Sequence, residues 1–311
     1  MKKLKLHNAS YKTLLSSFKE WLDILGYAET TVYNLPNHLR EFLYWLEQND
    51  IKHINHITAQ TTKAYYNHLQ ERANERRYGA LSKSYLNKHQ QALKKFREYL
   101  QQHNHKGISL HFKYESHPIE EKLNILTQSE IKQLFTACSY SNKRPCIRIR
   151  DKAILSLIYS CGLRRNEAVQ LDVNDVLFDK ERIHVRKGKN YKERLVPING
   201  YNLRILEDYI YEGRPDFTNN KQSEALLLSQ LGNRANGMTI ALRLQAIVNA
   251  TANETIIEKQ ITLHTLRHSI ATHLLEKEVP LSSIKTFLGH SSLESTQIYT
   301  HLLKTLKDAA I

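Results

Sequence analysis

The chain has 311 residues, and its 45 Lys and Arg outnumber its 31 Asp and Glu, which gives a formal net charge of +14. Hydrophobic residues make up 41% and charged residues 24%, so the composition excludes disordered, collagen-like and low-complexity proteins. A single hydrophobic core stops growing at about 250–300 residues, so the length predicts two domains. The positive charge indicates a polyanionic partner, and it is spread over both halves of the chain.

The cellular compartment is indicated by what the sequence lacks. No run of about 18 apolar residues occurs, and the basic start is not followed by an apolar segment with a cleavage site. Cys138, Cys146 and Cys161 are an odd number without a CxxC pair, which argues against a disulfide framework and a zinc ribbon. We therefore expect a soluble, cytoplasmic protein that does not contact a membrane.

The first part of the chain has the pattern of a small helical bundle. Apolar residues at helical spacing over 11–47, with breaks near Gly26 and Pro36, predict two amphipathic helices. The N-caps of a third and a fourth helix are expected at Thr58 and at Ser82 or Ser84.

These helices predict a first domain over residues 1–105 that is an all-α helical bundle. A polar segment follows that holds Gly107 and Pro118 and has no sustained periodicity. Residues 106–124 are therefore predicted to be a linker. The remaining residues, 125–311, form the predicted second domain.

The second domain is predicted to combine helices with one small sheet. Thr127 and Glu130 have the spacing of a capping box before an apolar run, and a later helix is expected over about 149–160, ending at Gly162. Further helices follow the strands, so the predicted fold class is mainly α, with an α+β second domain that contains a small antiparallel sheet. The strand-like runs, rich in β-branched residues, are Asp175–Phe178, Arg182–Arg186 and Arg194–Ile198.

Four local patterns in the second domain carry residues suited to chemistry. They are GLRRNE, GKNYKERLVP, HTLRHSIATHLL and FLGHSSLESTQIYTH. In the first and third patterns, an arginine shares a helical face with an acidic residue or a histidine three positions away. The residues concerned are Arg164, Glu167, Lys189, Lys192, His264, Arg267, His290 and Tyr299.

Each of these residues taken alone has an ordinary structural interpretation, such as an ion pair, a solvated turn, a helix cap or a core tyrosine. A zinc site is another alternative, because His264 and His268 lie four positions apart on one helix. The zinc-protease pattern requires Glu directly after the first histidine, and Thr265 stands there. We therefore expect no metal site.

As a set, the residues favour phosphoryl transfer without a metal ion or another cofactor. Mg²⁺ prefers carboxylate oxygens, and no cluster of carboxylates accompanies the four patterns. Two arginines can bind the non-bridging oxygens of a phosphodiester and stabilise the charge of the transition state. A tyrosine attacks phosphorus once its proton is removed, and a lysine on a hairpin protonates the leaving sugar oxygen. The covalent link conserves the phosphodiester energy, so no ATP is required.

In order and spacing, the four patterns resemble the motif series of tyrosine recombinases, the phage-integrase superfamily, and most closely its Xer type. The resemblance covers about residues 125–303. It implies a site-specific DNA recombinase with a helical core-binding domain and a catalytic domain. Such an enzyme cleaves and rejoins strands through a covalent 3′-phosphotyrosyl intermediate, with Holliday-junction exchange in a tetramer.

The resemblance implies a catalytic role for five residues of the patterns, carried over at matching positions. Tyr299 is the nucleophile, and Arg164 and Arg267 bind the scissile phosphate. His264 and His290 assist proton transfer and hydrogen-bond that phosphate.

Of three further positions, two match the family pattern and one departs from it. Lys189 matches the hairpin lysine that protonates the leaving 5′ oxygen, and Lys187 and Lys192 are close enough in the turn to remain alternatives. Glu167 matches an acidic residue that orients the first arginine. Glu278 departs from the family pattern, which has a helix-ending glycine there. If this position needs a positive φ, the side chain costs about 1 kcal/mol.

The implied partner is double-stranded DNA, bound by a homo-tetramer alone or with a related recombinase or accessory protein. Positive charge on both halves suits two domains that hold a duplex from opposite sides, mainly through phosphate contacts. The tail after Tyr299 is expected to pack on a neighbouring protomer, or alternatively on its own core. Candidate phosphate contacts are Arg76, Arg77, Lys83, Lys88, Lys94 and Lys95.

Two other functions fit parts of the pattern. Residues 279–299 can be interpreted as helix, turn and recognition helix with Gly289 in the turn, as in a DNA-binding protein without chemistry. Such a protein has no need of Tyr299 or of the two arginines, so the complete set favours the recombinase. A type IB topoisomerase uses a similar residue set on DNA of any sequence.

Overall fold

The computed structural model describes residues 4–74, 78–103, 107–110, 115, 124–186, 193–218 and 223–289. Internal packing divides the chain into two compact units, Met1–Glu121 and Lys122–Ile311. Helices dominate both units, and the second also holds a three-stranded antiparallel sheet, so the predicted mainly-α fold class is confirmed. Within the described ranges, every helix is too short or too polar to cross a membrane.

The first unit is a helical bundle. Its helices are α1 (Ala9–Ile24), α2 (Glu29–Gln48), α3 (Ala59–Glu71) and α4 (Lys83–Gln102). Of these, α1, α3 and α4 begin at side-chain N-caps. Thr58 Oγ1 accepts a hydrogen bond from the Thr61 amide at 3.2 Å, which confirms the predicted cap of α3. The hydroxyl of Ser82 accepts from the Tyr85 amide at 3.3 Å, so Ser82 rather than Ser84 caps α4.

Helix α2 runs without interruption through Pro36, so the break predicted at that residue is wrong. A proline inside a helix removes one backbone hydrogen bond and costs about 3 kcal/mol. On both sides of it the apolar stripe continues, and Leu35, Leu39 and Phe42 are buried against the rest of the bundle. Burial of each such side chain contributes about 1.5–3 kcal/mol, so one continuous helix is favoured. The break near Gly26, which has a φ of +70°, is confirmed.

A group of polar side chains lies between α2, α3 and α4. Glu41 forms an ion pair with Arg72 at 2.7 Å, and Tyr65 Oη lies 3.0 Å from His89 Nδ1. The ring centre of His38 lies 4.5 Å from that of His89. Burial, together with nearby positive charge, lowers the pKa of His38 to about 4 and that of His89 to about 2. Both imidazoles are therefore neutral at neutral pH in the folded chain.

We expect acid to destabilise the first unit through these two histidines. Their ordinary pKa is 6.5, so below that pH the unfolded chain takes up protons that folded His38 and His89 resist. Stability that is present above pH 6.5 is therefore lost as the pH falls, by up to about 1.4 kcal/mol per pH unit for each histidine. Trp21 and Trp45, the two tryptophans of the chain, both lie in this unit. Urea unfolding followed by tryptophan fluorescence at several pH values measures the loss.

A histidine variant and an exposed control isolate the cause of this acid sensitivity. His89→Gln should reduce the slope of unfolding free energy against pH, because one buried imidazole is removed. His53→Gln, at an exposed position in the same unit, should leave the slope unchanged. Equal slopes for both variants and the unchanged protein would contradict the assignment.

Part of the segment predicted to be a linker packs on the first unit. Ile108 is buried in the core of that unit. Further along, Asn87 Oδ1 accepts a hydrogen bond from the Glu115 N–H at 2.9 Å, and Asn87 Nδ2 donates to the Glu115 carbonyl at 3.0 Å. The compact first unit therefore continues past the predicted domain end at residue 105.

The second unit surrounds a separate hydrophobic core with helices and a small sheet. Its helices are α5 (Gln128–Ala137), α6 (Pro145–Leu155), α7 (Arg165–Gln170), α8 (Gly200–Asp208), α9 (Pro215–Thr218), α10 (Gly237–Ala250), α11 (Glu254–Glu258), α12 (Leu263–Glu276) and α13 (Leu281–Leu288). Its strands are β1 (Val176–Leu177), β2 (Arg182–Val185) and β3 (Arg194–Pro197). They pair antiparallel in that order, with Ile183 opposite both Val176 and Val196. The capping box of Thr127 and Glu130 at the start of α5 is confirmed, with hydrogen bonds of 3.2 and 2.7 Å.

Glu278 ends α12 in the left-handed region of backbone space, with a φ of +59°. Its N–H donates to the Leu275 carbonyl at 2.9 Å, and the Val279 N–H donates to the Leu274 carbonyl at 3.0 Å. This pair of hydrogen bonds is the Schellman motif, in which glycine is the usual residue. Glu278 therefore takes the conformation that glycine usually takes in this motif while carrying a side chain, which costs about 1 kcal/mol.

Glu278→Gly should raise the free energy of unfolding by about 1 kcal/mol, because the strain of a Cβ at positive φ disappears. Glu278→Ala is the matched control, since it removes the same carboxylate but keeps the Cβ, and it should give no such gain. Urea unfolding of the full chain, followed by far-UV circular dichroism, measures both variants. If the two variants are equally stable, the backbone at this residue is not strained.

Candidate active site

A wide turn after α6 places the first arginine of the site. The helix continues as a π-helical turn over Ser156–Ser160, and Gly162 then ends it, as predicted, with a φ of +59°. A Cβ on Gly162 would lie 2.9 Å from side-chain atoms of both Phe287 and Leu288. Glycine is therefore required for the end of α13 to approach this closely.

Glu167 lies at the centre of the site, and its side chain is 3% exposed. Arg164, the N-cap residue of α7, donates to it from its backbone N–H at 2.9 Å and from Nη1 at 2.8 Å. Arg194, on β3, donates to it from Nη1 and Nη2 at 3.0 and 2.8 Å. Burial alone would raise the pKa of Glu167, but the hydrogen bonds and charges of Arg194 and Arg164 lower it to about 2. The carboxyl group is therefore ionised at any physiological pH.

The end of α13 holds two arginines through its backbone carbonyls. Arg267, on α12, is 4% exposed; its Nη2 donates to the Leu288 carbonyl at 2.6 Å and its Nη1 to the Gly162 carbonyl. Arg164 donates from Nη1 to the same Leu288 carbonyl at 3.3 Å and from Nη2 to the Gly289 carbonyl at 2.9 Å. The last carbonyls of a helix lack helical partners and carry partial negative charge, so they suit guanidinium groups.

Arg194 completes the cluster, although it is not among the candidate residues of the four sequence patterns. Besides Glu167, it binds the Phe287 carbonyl through Nε at 3.2 Å, and its side chain is 10% exposed. A Cβ on Gly289 would lie 2.9 Å from its guanidinium carbon. Strand alternation carries a signal that could have found it, because Arg194 lies two positions before the buried Val196 and shares its face. An arginine on the inner face of a strand needs a buried partner.

Two histidines of α12 lie close to the arginines. His264 is exposed, yet the surrounding protein and then the charges of Arg267, Arg165 and Arg164 lower its pKa. His268 is half-buried, and burial followed by the neighbouring His264 lowers its pKa to about 4. Both rings are therefore neutral at neutral pH, and the exposed one can accept a proton. In the part of the chain that the structure describes, no three His, Cys, Asp or Glu side chains are grouped to hold a metal ion.

The structure describes some of the predicted site residues and not others. It brings Arg164 and Arg267 onto one carbonyl and places His264 on the helix that carries Arg267. The predicted residues that lie outside the described ranges are Lys187, Lys189, Lys192, His290, Tyr299, Arg76 and Arg77.

The remaining predicted phosphate contacts all lie on α4. Lys83 and Lys88 are exposed, whereas Lys94 and Lys95 are half-buried. Lys95 forms an ion pair with Glu98 at 2.5 Å, so part of its charge is already balanced. The two exposed lysines are therefore the better placed members of this set.

The cluster carries three guanidinium charges against one carboxylate. Arg267 Nη1 lies 4.0 Å from Glu167 Oε2, so this arginine also lies close to the anion. Arg164 is 18% exposed, and its Nε–H has no hydrogen-bond partner among the described residues. Positive charge thus exceeds negative charge at a partly buried place, where charges interact more strongly than in water. Such an arrangement can bind the oxygens of a phosphate group.

Comparison with known proteins identifies the family to which this chain belongs. The sequence profile of the phage integrase family matches residues 124–305. The chain is 30% identical to tyrosine recombinase XerD of Staphylococcus epidermidis, over 94% of this chain and 95% of the relative. It is also 30% identical to tyrosine recombinase XerC of Oceanobacillus iheyensis, over 93% and 92%. Its fold is similar to that of XerH site-specific recombinase bound to palindromic difH substrate, with a TM-score of 0.71 and 20% identity over 96% of this chain and 83% of that chain.

Fold, site and relatives together define an enzyme of the tyrosine recombinase class. The chain belongs to the phage integrase family, since the family profile spans more than half of it and a relative at 30% identity spans nearly all of it. Its activity is site-specific recombination. The predicted resemblance to the Xer type is confirmed by the XerD and XerC relatives.

Gly289→Ala tests the close packing around Arg194. The new methyl group would strain the backbone at a φ of +64° and displace the guanidinium, so we expect recombination to fall at least about 10-fold. Gly26→Ala is the matched control, because its φ is +70° and no atom lies within 4 Å of the added Cβ. The control should lose only about 1 kcal/mol of stability and keep its recombination rate. Similar rate losses in the two variants would show that the contact with Arg194 has no role.

Proposed function

We propose that this chain cleaves and rejoins double-stranded DNA through a covalent 3′-phosphotyrosyl intermediate. The observation that carries the proposal is the Leu288 carbonyl, which accepts hydrogen bonds from both Arg164 and Arg267. Two guanidinium groups are thereby held at one point, and the segment with His290 and Tyr299 follows directly in sequence. Paired guanidinium groups match the two non-bridging oxygens of one phosphodiester and stabilise the charge that develops on it.

In the proposed reaction, the Tyr299 oxygen attacks phosphorus and its proton passes to His264 or His290. The lowered pKa of His264 supports this role, because a neutral imidazole can accept the proton. The bond from phosphorus to the 5′ oxygen breaks, and Lys189 supplies a proton to that oxygen, with Lys187 and Lys192 as alternatives. Attack of a 5′ hydroxyl on the phosphotyrosyl bond reverses these steps and rejoins a strand.

We infer that the substrate is a specific duplex site, which the first unit helps to bind and the second unit cleaves. The net charge of +14, the exposed Lys83 and Lys88, and the similarity to a recombinase bound to its difH substrate support this inference. Exchange through a Holliday junction requires cleavage of four strands, so we propose a homo-tetramer on DNA, alone or with a related recombinase or accessory protein. Because the substrate is DNA, we place the activity in the cytoplasm.

Tyr299→Phe should bind the DNA site as the unchanged protein does but form no covalent adduct, because the ring then lacks its nucleophilic oxygen. Sequencing the DNA that the unchanged protein retains through denaturation defines the site, and a nicked duplex of that site is then the substrate. Adduct is measured on a denaturing gel and binding by gel shift. Tyr140→Phe, at a tyrosine of the second unit that is 77% exposed, is the control and should form adduct at the normal rate.

Three outcomes would count against the proposal. Adduct formed by Tyr299→Phe would overturn the nucleophile assignment. If the unchanged protein shifts the nicked duplex on a gel but forms no adduct, it is a DNA-binding protein that does not cleave DNA. Relaxation of any supercoiled plasmid without site preference would indicate a type IB topoisomerase.

A further inference from the structure

The Glu167 carboxylate has no hydrogen-bonding capacity left for a substrate. Each of its oxygens accepts one hydrogen bond from Arg164 and one from Arg194, at 2.8–3.0 Å. A carboxylate offers about four lone-pair sites, so all of them are occupied. Its lowered pKa agrees with this geometry. Glu167 is therefore a permanent anion in the site rather than a group that exchanges protons with substrate.

A permanent anion would oppose phosphate binding if nothing balanced it. Glu167 lies 2.8 Å from Arg164 Nη1 and 4.0 Å from Arg267 Nη1, so it attracts both guanidinium groups and repels a phosphate brought to them. Without Arg194, the two arginines and the carboxylate would sum to one positive charge. With Arg194 the sum is two, which equals the negative charge of a phosphodiester under attack by a tyrosinate. Arg194 thus balances Glu167 and leaves the other two arginines in excess.

Arg194 is placed to act on Glu167 rather than on the substrate. Its side chain is only 10% exposed, and all three nitrogens of its guanidinium are engaged by Glu167 and the Phe287 carbonyl. Gly289 packs across the same guanidinium so closely that a Cβ there would lie 2.9 Å away. Arg194 therefore joins β3 to the end of α13, whose carbonyls hold the other two arginines.

We propose that Arg194 is a positioning residue of this recombinase. It fixes and neutralises Glu167, so that Arg164 and Arg267 present both of their positive charges to the scissile phosphate. This inference rests on the proposed function, in which those two arginines bind that phosphate.

Two substitutions separate the geometry of Arg194 from its charge. Arg194→Lys keeps the charge but loses the two-pronged contact, and Arg194→Met loses both. We expect the rate of adduct formation on the nicked site to fall on the order of 10- to 100-fold for the lysine variant and further for the methionine variant.

Arg243→Lys is the matched control, because Arg243 also binds a buried carboxylate in the second unit through two hydrogen bonds. Arg243 donates to both oxygens of the fully buried Asp151, at 2.9 and 2.5 Å. Its replacement should lower the free energy of unfolding, measured by urea unfolding, but should leave the rate of adduct formation of the folded protein unchanged. A rate loss equal to that of Arg194→Lys would mean that any buried arginine has this effect, and the proposal would be overturned.

A DNA substrate with a methylphosphonate at the scissile position provides a readout that structural damage does not change. This group carries no negative charge, so it needs less positive charge from the enzyme. The rates of Arg164→Ala and of Arg194→Met, which each remove one positive charge, should therefore recover towards that of the unchanged protein on methylphosphonate, whereas Arg194→Lys keeps its charge and should recover less. The rate of Arg243→Lys relative to that of the unchanged protein should be the same on the phosphodiester and the methylphosphonate substrate.

The outcomes distinguish the inference from the proposed function. If Arg164→Ala does not recover, the phosphate-binding role in the proposed function fails. If Arg164→Ala recovers and Arg194→Met does not, Arg194 has a purely structural role and the inference fails alone. A double-mutant cycle adds a second test: Arg194→Lys should lower the rate less in a Glu167→Gln background, and full additivity would overturn the inference.

Discussion

The architecture of the second unit depends on one buried anion. Removing a carboxylate from water costs several kcal/mol, and the cost is offset only when charged partners satisfy both oxygens. Glu167 obtains these partners from Arg164 beside it in sequence and from Arg194 on β3. If either segment moved away, the buried carboxylate would lose half of its hydrogen bonds. Together with the shared hydrophobic core, this ion-pair cluster holds the sheet against α7.

Backbone carbonyls extend this arrangement from the anion to the other arginine. Arg267 is held by the carbonyls of Gly162 and Leu288, and the latter also binds Arg164. Two glycines permit this, because a Cβ at Gly162 or at Gly289 would lie within 3 Å of a neighbouring side chain. Guanidinium groups that donate to fixed carbonyls lose conformational freedom when the chain folds, before any ligand arrives. The site is thus preorganised for an anion.

The helix that carries Arg267 is also joined to the chain segment that enters the second unit. The Leu126 N–H donates to Ser269 Oγ on α12 at 2.9 Å. Just before α12, Lys259 binds the Glu130 carboxylate at 2.6 Å and so ties the start of α5 to the same region. The residues after the predicted linker therefore contact the helix of the active site directly.

The sequence by itself determined the features that depend on neighbouring residues or on fixed motif spacing. These include the helix caps at Thr58 and Thr127, the antiparallel strands and the family. The tertiary structure alone decided that α2 continues through Pro36 and that Arg194 completes the site by binding Glu167. Both depend on side chains brought together from distant segments. Burial of a continuous apolar stripe outweighs a local helix defect, and strand alternation can place Arg194 on an inner face but does not say that its buried partner is Glu167.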